Sequence, residues 1–396
     1  MRKLLLLCVS ASLLMPVFGR AAEKPDKKTA ELLKKLQGNV AQRGEAIEGL
    51  VKIGGPAVPT LVKLFKEKTQ DENLRGHLCN ILGRIGPPAK EAVPALVDAL
   101  KKEKKESTVP ANAAWALGRI GAPAVPGLTE ALKEKAEHVR RLAALALGQV
   151  GPPAKPAVAA LQELAKQRGT DISRQVAVDA LGQIGPAAKD AVPTLIGLLK
   201  EKGPFNPVRV SAVVALGKIG PDAKEAVPAL IAVVKAKEDA AQMPVSPVLR
   251  FHAIEALARM GESAKAAAPV LLEVMKEKNN PARLILFEAL AKIGSVGRDM
   301  VPALKETLKD ENVEVRLHAA LLLGRFEPNN KLVVSVLLDG LEDKNAERRQ
   351  LAAQALGIVR PKDPSVVEGL TEAVKDKDKR VRAAARKSLE QIKNKK

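Results

Sequence analysis

A leucine returns eleven times along this chain, at Leu50, Leu82, Leu117, Leu147, Leu181, Leu216, Leu257, Leu290, Leu323, Leu356 and Leu389. The intervals run from 30 to 41 residues. Such a period makes each unit one supersecondary element rather than a domain. The unit is clearest between Val208 and Lys235. Val208, Ala212, Ala215, Leu216 and Ile219 fall at helical spacing. Gly220 and Pro221 then stop the helix, and Val227, Leu230, Ile231 and Val234 form a second apolar face. Two helices of this size bury those faces only by stacking on copies of themselves. The expected fold is all-α: an α-α solenoid of about eleven two-helix repeats, with no second domain.

Composition fits that expectation. With six Phe, one Trp and no Tyr, the core has to be filled by Ala, Leu and Val, which suits closely packed helices. The 27 prolines and 28 glycines would favour disorder if scattered, but many recur at fixed places between helices. Ile85-Gly86-Pro87-Pro88, Val150-Gly151-Pro152-Pro153 and Ile184-Gly185-Pro186 repeat the link seen at Ile219-Gly220-Pro221. Ala-Val-Pro follows at Ala92–Pro94, Ala191–Pro193 and Ala226–Pro228. A proline there bends the next helix or delays its start. Near the C-terminus, Arg325-Phe326-Glu327 and Val359-Arg360-Pro361 replace the link.

An arginine stands seven residues before the leucine in ten of the eleven units: Arg43, Arg75, Arg140, Arg174, Arg209, Arg250, Arg283, Arg316, Arg349 and Arg382. The third unit has Pro110 instead. Asp310, Asp343 and Asp376 lie six residues before their arginines. Each arginine is expected to bond the acidic turn or nearby carbonyls and so tie unit to unit, a structural ladder rather than a ligand site.

Val208-Arg209, then Ala215-Leu216-Gly217-Lys218-Ile219-Gly220-Pro221, then Ala226-Val227-Pro228-Ala229-Leu230 resembles HEAT repeats, most nearly the subtype first named from phycobilin lyases. The resemblance runs from about Leu32 to Ile392. It implies a right-handed α-α superhelix, an armadillo-like helical solenoid whose second helices line the concave face. It implies no single function, because that repeat serves scaffolds, adaptors, lyases and inhibitors.

On such a face the residue two past each leucine points outward. That row reads Lys52, Arg84, Arg119, Gln149, Gln183, Lys218, Arg259, Lys292 and Arg325, so seven of nine are cationic. Local pairing is the competing reading. Glu48–Lys52, Glu255–Arg259 and Glu288–Lys292 stand at i,i+4, each pair contributing about 0.2–0.5 kcal/mol. Trp115 is one turn from Arg119, within reach of a cation–π contact. Six residues before the leucine the row turns apolar at Val210, Phe251, Leu284 and Leu317, with Val214 and Leu321 one turn on. These residues either form a groove for a partner helix or strand, or pack between units. Three long turns, Lys101–Pro110, Glu201–Pro207 and Lys235–Pro247, mark an edge that either binds or has drifted.

Catalytic signals are missing. His77, His252 and His318 share one repeat position, but units two, seven and nine are not neighbours, and His138 lies elsewhere. There is no Cys/His cluster at metal-ligand spacing, no His-Glu pair of the deoxyhypusine-hydroxylase kind, and no phosphate loop or nucleophile elbow. No enzyme, metal or cofactor is expected.

Arg2 and Lys3 precede an apolar run from Leu4 to Phe18, and Gly19-Arg20-Ala21 offers small residues before Ala22. This predicts a secretory signal over residues 1–21, a charged linker over 22–30 and a solenoid over 31–396. Cleavage would leave no transmembrane segment and place the protein in the periplasm or outside the cell. It would also remove Cys8 and leave Cys79 alone, a small buried apolar side chain with no disulfide partner. The formal charge of +20 falls to +17 when Arg2, Lys3 and Arg20 go. Either a lysine-rich solvated surface or an anionic partner accounts for it. Two functions follow. The first is an exported, non-enzymatic scaffold or adaptor for a protein partner. The second is binding of a polyanion (anionic polysaccharide, lipid headgroup or nucleic acid) on the basic row.

Overall fold

The computed structural model describes residues 27–67, 71–167, 171–201, 206–236, 246–275, 277, 283–294 and 300–394. The expected signal segment and Cys8 lie outside them, as do the interiors of the turns Glu201–Pro207 and Lys235–Pro247.

Twenty-two α-helices form eleven pairs among the described residues. They are α1 (Lys27–Lys35) with α2 (Val40–Ile53), α3 (Val58–Glu67) with α4 (Glu72–Ile85), α5 (Val93–Lys102) with α6 (Val109–Ile120), and α7 (Val125–Ala131) with α8 (Glu137–Val150). Next come α9 (Val158–Lys166) with α10 (Asp171–Ile184), α11 (Val192–Leu199) with α12 (Pro207–Ile219), and α13 (Val227–Lys235) with α14 (Pro247–Met260). The last are α15 (Ala268–Met275) with α16 (Arg283–Ile293), α17 (Val301–Thr307) with α18 (Val313–Gly324), α19 (Lys331–Leu341) with α20 (Ala346–Val359), and α21 (Pro364–Ala373) with α22 (Lys379–Lys393). The described residues contain no strand. The first helix starts at Lys27, so residues 27–30 are helical rather than linker: Thr29 and Leu32 are buried, and that contact holds the turn.

Ten of the eleven recurrent leucines are buried. Full burial of such a side chain contributes about 1.5–3 kcal/mol. Leu389, in α22, is only partly covered. The prolines of Ala-Val-Pro do not kink a helix. Residues such as Pro87–Ala92 form a 3-10 turn, and α5 begins after it with Pro94 in its first turn, where the missing N–H has no helical partner to lose.

Two kinds of glycine serve this stack, although the sequence pattern suggested only helix ends. Gly86 and Gly121 are caps with φ of 73° and 84°, a region closed to most side chains. In seven of the eleven units a glycine follows the leucine and acts within the helix. A Cβ built on Gly182 would lie 2.9 Å from Ala215 Cα, and one on Gly217 would lie 2.9 Å from Ala256 Cα. Missing Cβ atoms thus let adjacent second helices approach backbone to backbone. The second helices form the more closely packed layer, whereas the first helices meet their neighbours largely through the 3-10 turns. In a curved stack the closer layer is the inner one.

Candidate interaction surface

The inner layer exposes three positions per second helix: six before the leucine, two before it and two after it. At the last position Lys52, Arg84, Arg119, Lys218, Arg259, Lys292 and Arg325 are all exposed. Their electrostatic surroundings differ. Glu48 turns away from Lys52 and takes a two-armed bond from Arg84 of the next unit, at 2.7 and 2.8 Å. This bond holds the Glu48 carboxyl below its ordinary range. Arg259 reaches Glu255 at 2.7 Å, and Lys292 reaches Glu288 at 2.6 Å. Burial pushes the Glu255 carboxyl up, but bonds from Arg259 and His252 outweigh it and leave it lowered. Lys52, Arg119, Lys218 and Arg325 have no carboxylate within 4.0 Å among the described residues. The row is also interrupted by Gln149 and Gln183 and ends at Ile358 and Gln391.

Trp115 does not cover Arg119. Its ring lies on the preceding helix, where a Cβ on Gly83 would stand 2.4 Å from Trp115 Cζ3. The cation–π contact in the described residues is instead Arg75 over Phe65, at 4.5 Å.

The apolar row divides. Phe251 is 41% exposed and Val210 is half-buried, but Leu317 is fully buried. Leu317 belongs to the core: a Cβ on Gly340 of the following first helix would meet its Cδ2 at 2.5 Å. The Leu284 side chain lies outside the described residues. Leu145 at 39% and Ile358 at 49% are exposed on the same inner face. The pattern at Phe251 does not extend to them, because they occupy other register positions.

A concavity of about 600 Å³ lies on this face over units seven to nine, between Phe251, Ile285, Phe287, Glu288, His318 and Leu321. The Phe287 and His318 rings stand 5.6 Å apart. His318 Nδ1 lies 2.8 Å from the Glu314 carbonyl and donates to it. His252 instead meets Glu255, and the two histidines share no ligand. No cluster of three metal-binding side chains occurs among the described residues.

The arginines stand at the opposite edge. Arg75, Arg174, Arg250 and Arg349 each bond a carboxylate in the following unit's turn: Glu103, Glu201, Glu277 and Asp376. Arg140, Arg316 and Arg382 bond carbonyls of their own turns. The aspartates six residues upstream do not receive their own arginine on the carboxylate. Asp310, Asp343 and Asp376 cap the backbone N–H two residues on, and the arginine takes the carbonyl. Arg209 is buried, which pulls its guanidinium pKa down. Arg43 is half-buried, and the Arg283 side chain lies outside the described residues. Of the three long turns, Lys101–Pro110 is described in full. It supplies Glu103 to Arg75, and Lys101 reaches Glu134 at 3.0 Å.

Repeated helix pairs, a continuous inner layer and an edge of inter-unit ion pairs define an α-helical repeat protein with a superhelical fold. The profile of HEAT repeats matches residues 29–109, 103–182, 166–245, 268–357 and 334–396. The chain therefore belongs to the HEAT-repeat family. Among solved structures it is similar to importin beta, with a TM-score of 0.64 and 14% identity over 93% of this chain and 56% of that one. A structure of Kap95p binding RanGDP gives 0.56 and 15%, over 92% and 51%. Kap121p gives 0.55 and 12%, over 92% and 44%. The chain thus spans about half of these transport receptors, and the likeness concerns the fold. No curated protein matches it.

Proposed function

We propose that this chain is an exported, non-enzymatic scaffold that holds a protein partner along the inner face of its second helices. The observation that carries this reading is the continuous layer of closely packed second helices, along which Leu145, Phe251 and Ile358 stay exposed. The Arg2–Ala21 pattern supports export. No helix among the described residues is long and apolar enough to cross a membrane. A photo-cross-linking residue placed at Leu145 or Gln183 is expected to give a discrete protein adduct in the envelope fraction. The same residue at the exposed Lys63 of a first helix should give none. Absence of adducts from every inner position would overturn the reading.

A second reading rests on Lys52, Arg119, Lys218 and Arg325, the inner cations without carboxylate partners among the described residues. They favour a polyanion, and binding would then weaken steeply with salt. Heparin retention unchanged by Arg119→Glu with Lys218→Glu would sink it.

A further inference from the structure

The concavity over units seven to nine is the aromatic part of the inner face, with Phe251, Phe287 and His318 in its lining. Phe251 on α14, Ile285 on α16 and Leu321 on α18 are exposed or half-buried around it, and Phe287 and Leu322 form its buried floor. It is an open trough of about 600 Å³ rather than a closed cavity. Towards the C-terminal ends of the same three helices stand the exposed Arg259, Lys292 and Arg325, one from each unit at the same register position, with Lys218 of unit six continuing the line. Two carboxylates, Glu255 and Glu288, answer these four cations, through exposed i,i+4 pairs that exchange partners at little cost. Arg325 has no carboxylate within 4.0 Å among the described residues. An apolar trough beside a net positive row fits an occupant that is apolar on one stripe and acidic on the next.

The repeat spacing selects its backbone. Packed helices lie roughly 8–10 Å apart, so successive cations of the row recur at about that interval. Two turns of an α-helix advance ~10.8 Å and return to the same face. An extended chain covers a similar distance in about three residues, which turns the matching side chain to the opposite face. Resting on the protein-partner reading above, we propose that this concavity receives an acidic amphipathic helix of a partner protein. Its apolar stripe enters between Phe251 and Leu321, and carboxylates spaced seven residues apart meet Arg259, Lys292 and Arg325.

The test uses the full chain and a fluorescein-labelled peptide of about 20 residues, roughly 30 Å as a helix. It carries leucines on one stripe and glutamates seven apart on the adjacent one. One comparison peptide has lysines for the glutamates, and another has the same composition in an order that destroys the stripes. Polarisation titrations are expected to show the glutamate peptide binding at least about tenfold tighter than either. Phe251→Glu and Arg325→Glu should each weaken it by about tenfold or more, and Arg325→Glu should also reduce the salt dependence. Lys63→Glu, on the first helix α3, should leave it unchanged. All three sites are exposed, and circular dichroism checks that the variants keep their helix content. Absence of saturable binding, equal affinity for the lysine peptide, or indifference to Phe251→Glu and Arg325→Glu would overturn the proposal. So would a dimer that Phe251→Glu dissociates, since a second copy would then be the occupant. The wider scaffold reading survives those outcomes if cross-links from Leu145 and Gln183 persist, and falls separately if they do not form.

Discussion

Arg349 of unit ten and Asp376 of unit eleven form a two-armed ion pair, with Nε at 2.7 Å from one carboxylate oxygen and Nη2 at 3.0 Å from the other. Their side chains are 7% and 12% exposed. Arg349 also bonds the carbonyls of Asp343 and Lys344, so one guanidinium joins two successive turns. Removing one partner of a well-covered pair strands the other.

Asp376→Asn is therefore expected to destabilise the C-terminal units by about 2–3 kcal/mol at neutral pH. The bond from Arg349 holds the Asp376 carboxyl below its ordinary range, against the opposing effect of burial. A pKa lowered in the fold gives stability that is complete above the unfolded value and lost as pH falls through the folded one. The difference between wild type and Asp376→Asn should hence persist from neutral pH down to about 4 and shrink below it. Calorimetric scans across that range check this, and a difference independent of pH would contradict it.

Asp378 titrates lower still. The Arg380 side chain and backbone both bond its carboxylate, and the pKa falls to about 2. A carbon-detected NMR titration should find that midpoint. Arg380→Gln should raise it towards about 3.9, the value of a free aspartate, with the retained backbone bond keeping it short of that.

Cys79 sits in α4 with no exposed surface, and burial pushes its thiol up to about 12. It should ignore a disulfide reagent at pH 8 in the folded chain and react fully in denaturant. Labelling at the native state would show that unit two opens locally.

Arg360 caps α20 with φ of 52°, the one non-glycine residue in the left-handed region among the described residues. That backbone costs about 1–2 kcal/mol for a side-chain-bearing residue. Arg360→Gly relieves it but gives up the bond from Nε to the Gly357 carbonyl at 3.1 Å. The expected result is a small net gain, under about 1 kcal/mol, read as a rise in melting temperature.

The eleven units and their buried leucines were legible because a single period repeats the same burial along the chain. The surface was less so. Phe251 and Leu317 hold the same register position, yet one faces out and the other is covered by the turn of α19 that carries Gly340. Which neighbour covers a residue depends on how closely two units approach, and periodicity carries no such distance. Glu48 illustrates the same limit. Its sequence neighbour Lys52 stands one turn away, but the planar fork of Arg84 across the unit boundary offers two bonds at once. The glycine that follows the leucine in seven of the eleven units was visible as a recurrence. Its role was not, since helix-ending and helix-contacting glycines look alike until the next backbone is placed.

That contact gives the sharpest stability contrast in the chain. Gly217 lies inside α12, where a new Cβ would stand 2.9 Å from Ala256 Cα and 3.0 Å from Ala256 Cβ. The obstacle includes backbone, so α12 and α14 must separate, and overpacking of this kind costs about 1–3 kcal/mol. Gly197 lies inside α11, and a Cβ added there would meet nothing within 4 Å. At that position alanine only removes backbone freedom from the unfolded chain and should stabilise by about 0.5–1 kcal/mol. Gly217→Ala and Gly197→Ala thus make one chemical change in two helices of the same unit, with opposite expected signs. Thermal unfolding of the two variants beside the wild type decides it. A loss at Gly197 or a gain at Gly217 would mean that the inner helices are not held by backbone contact.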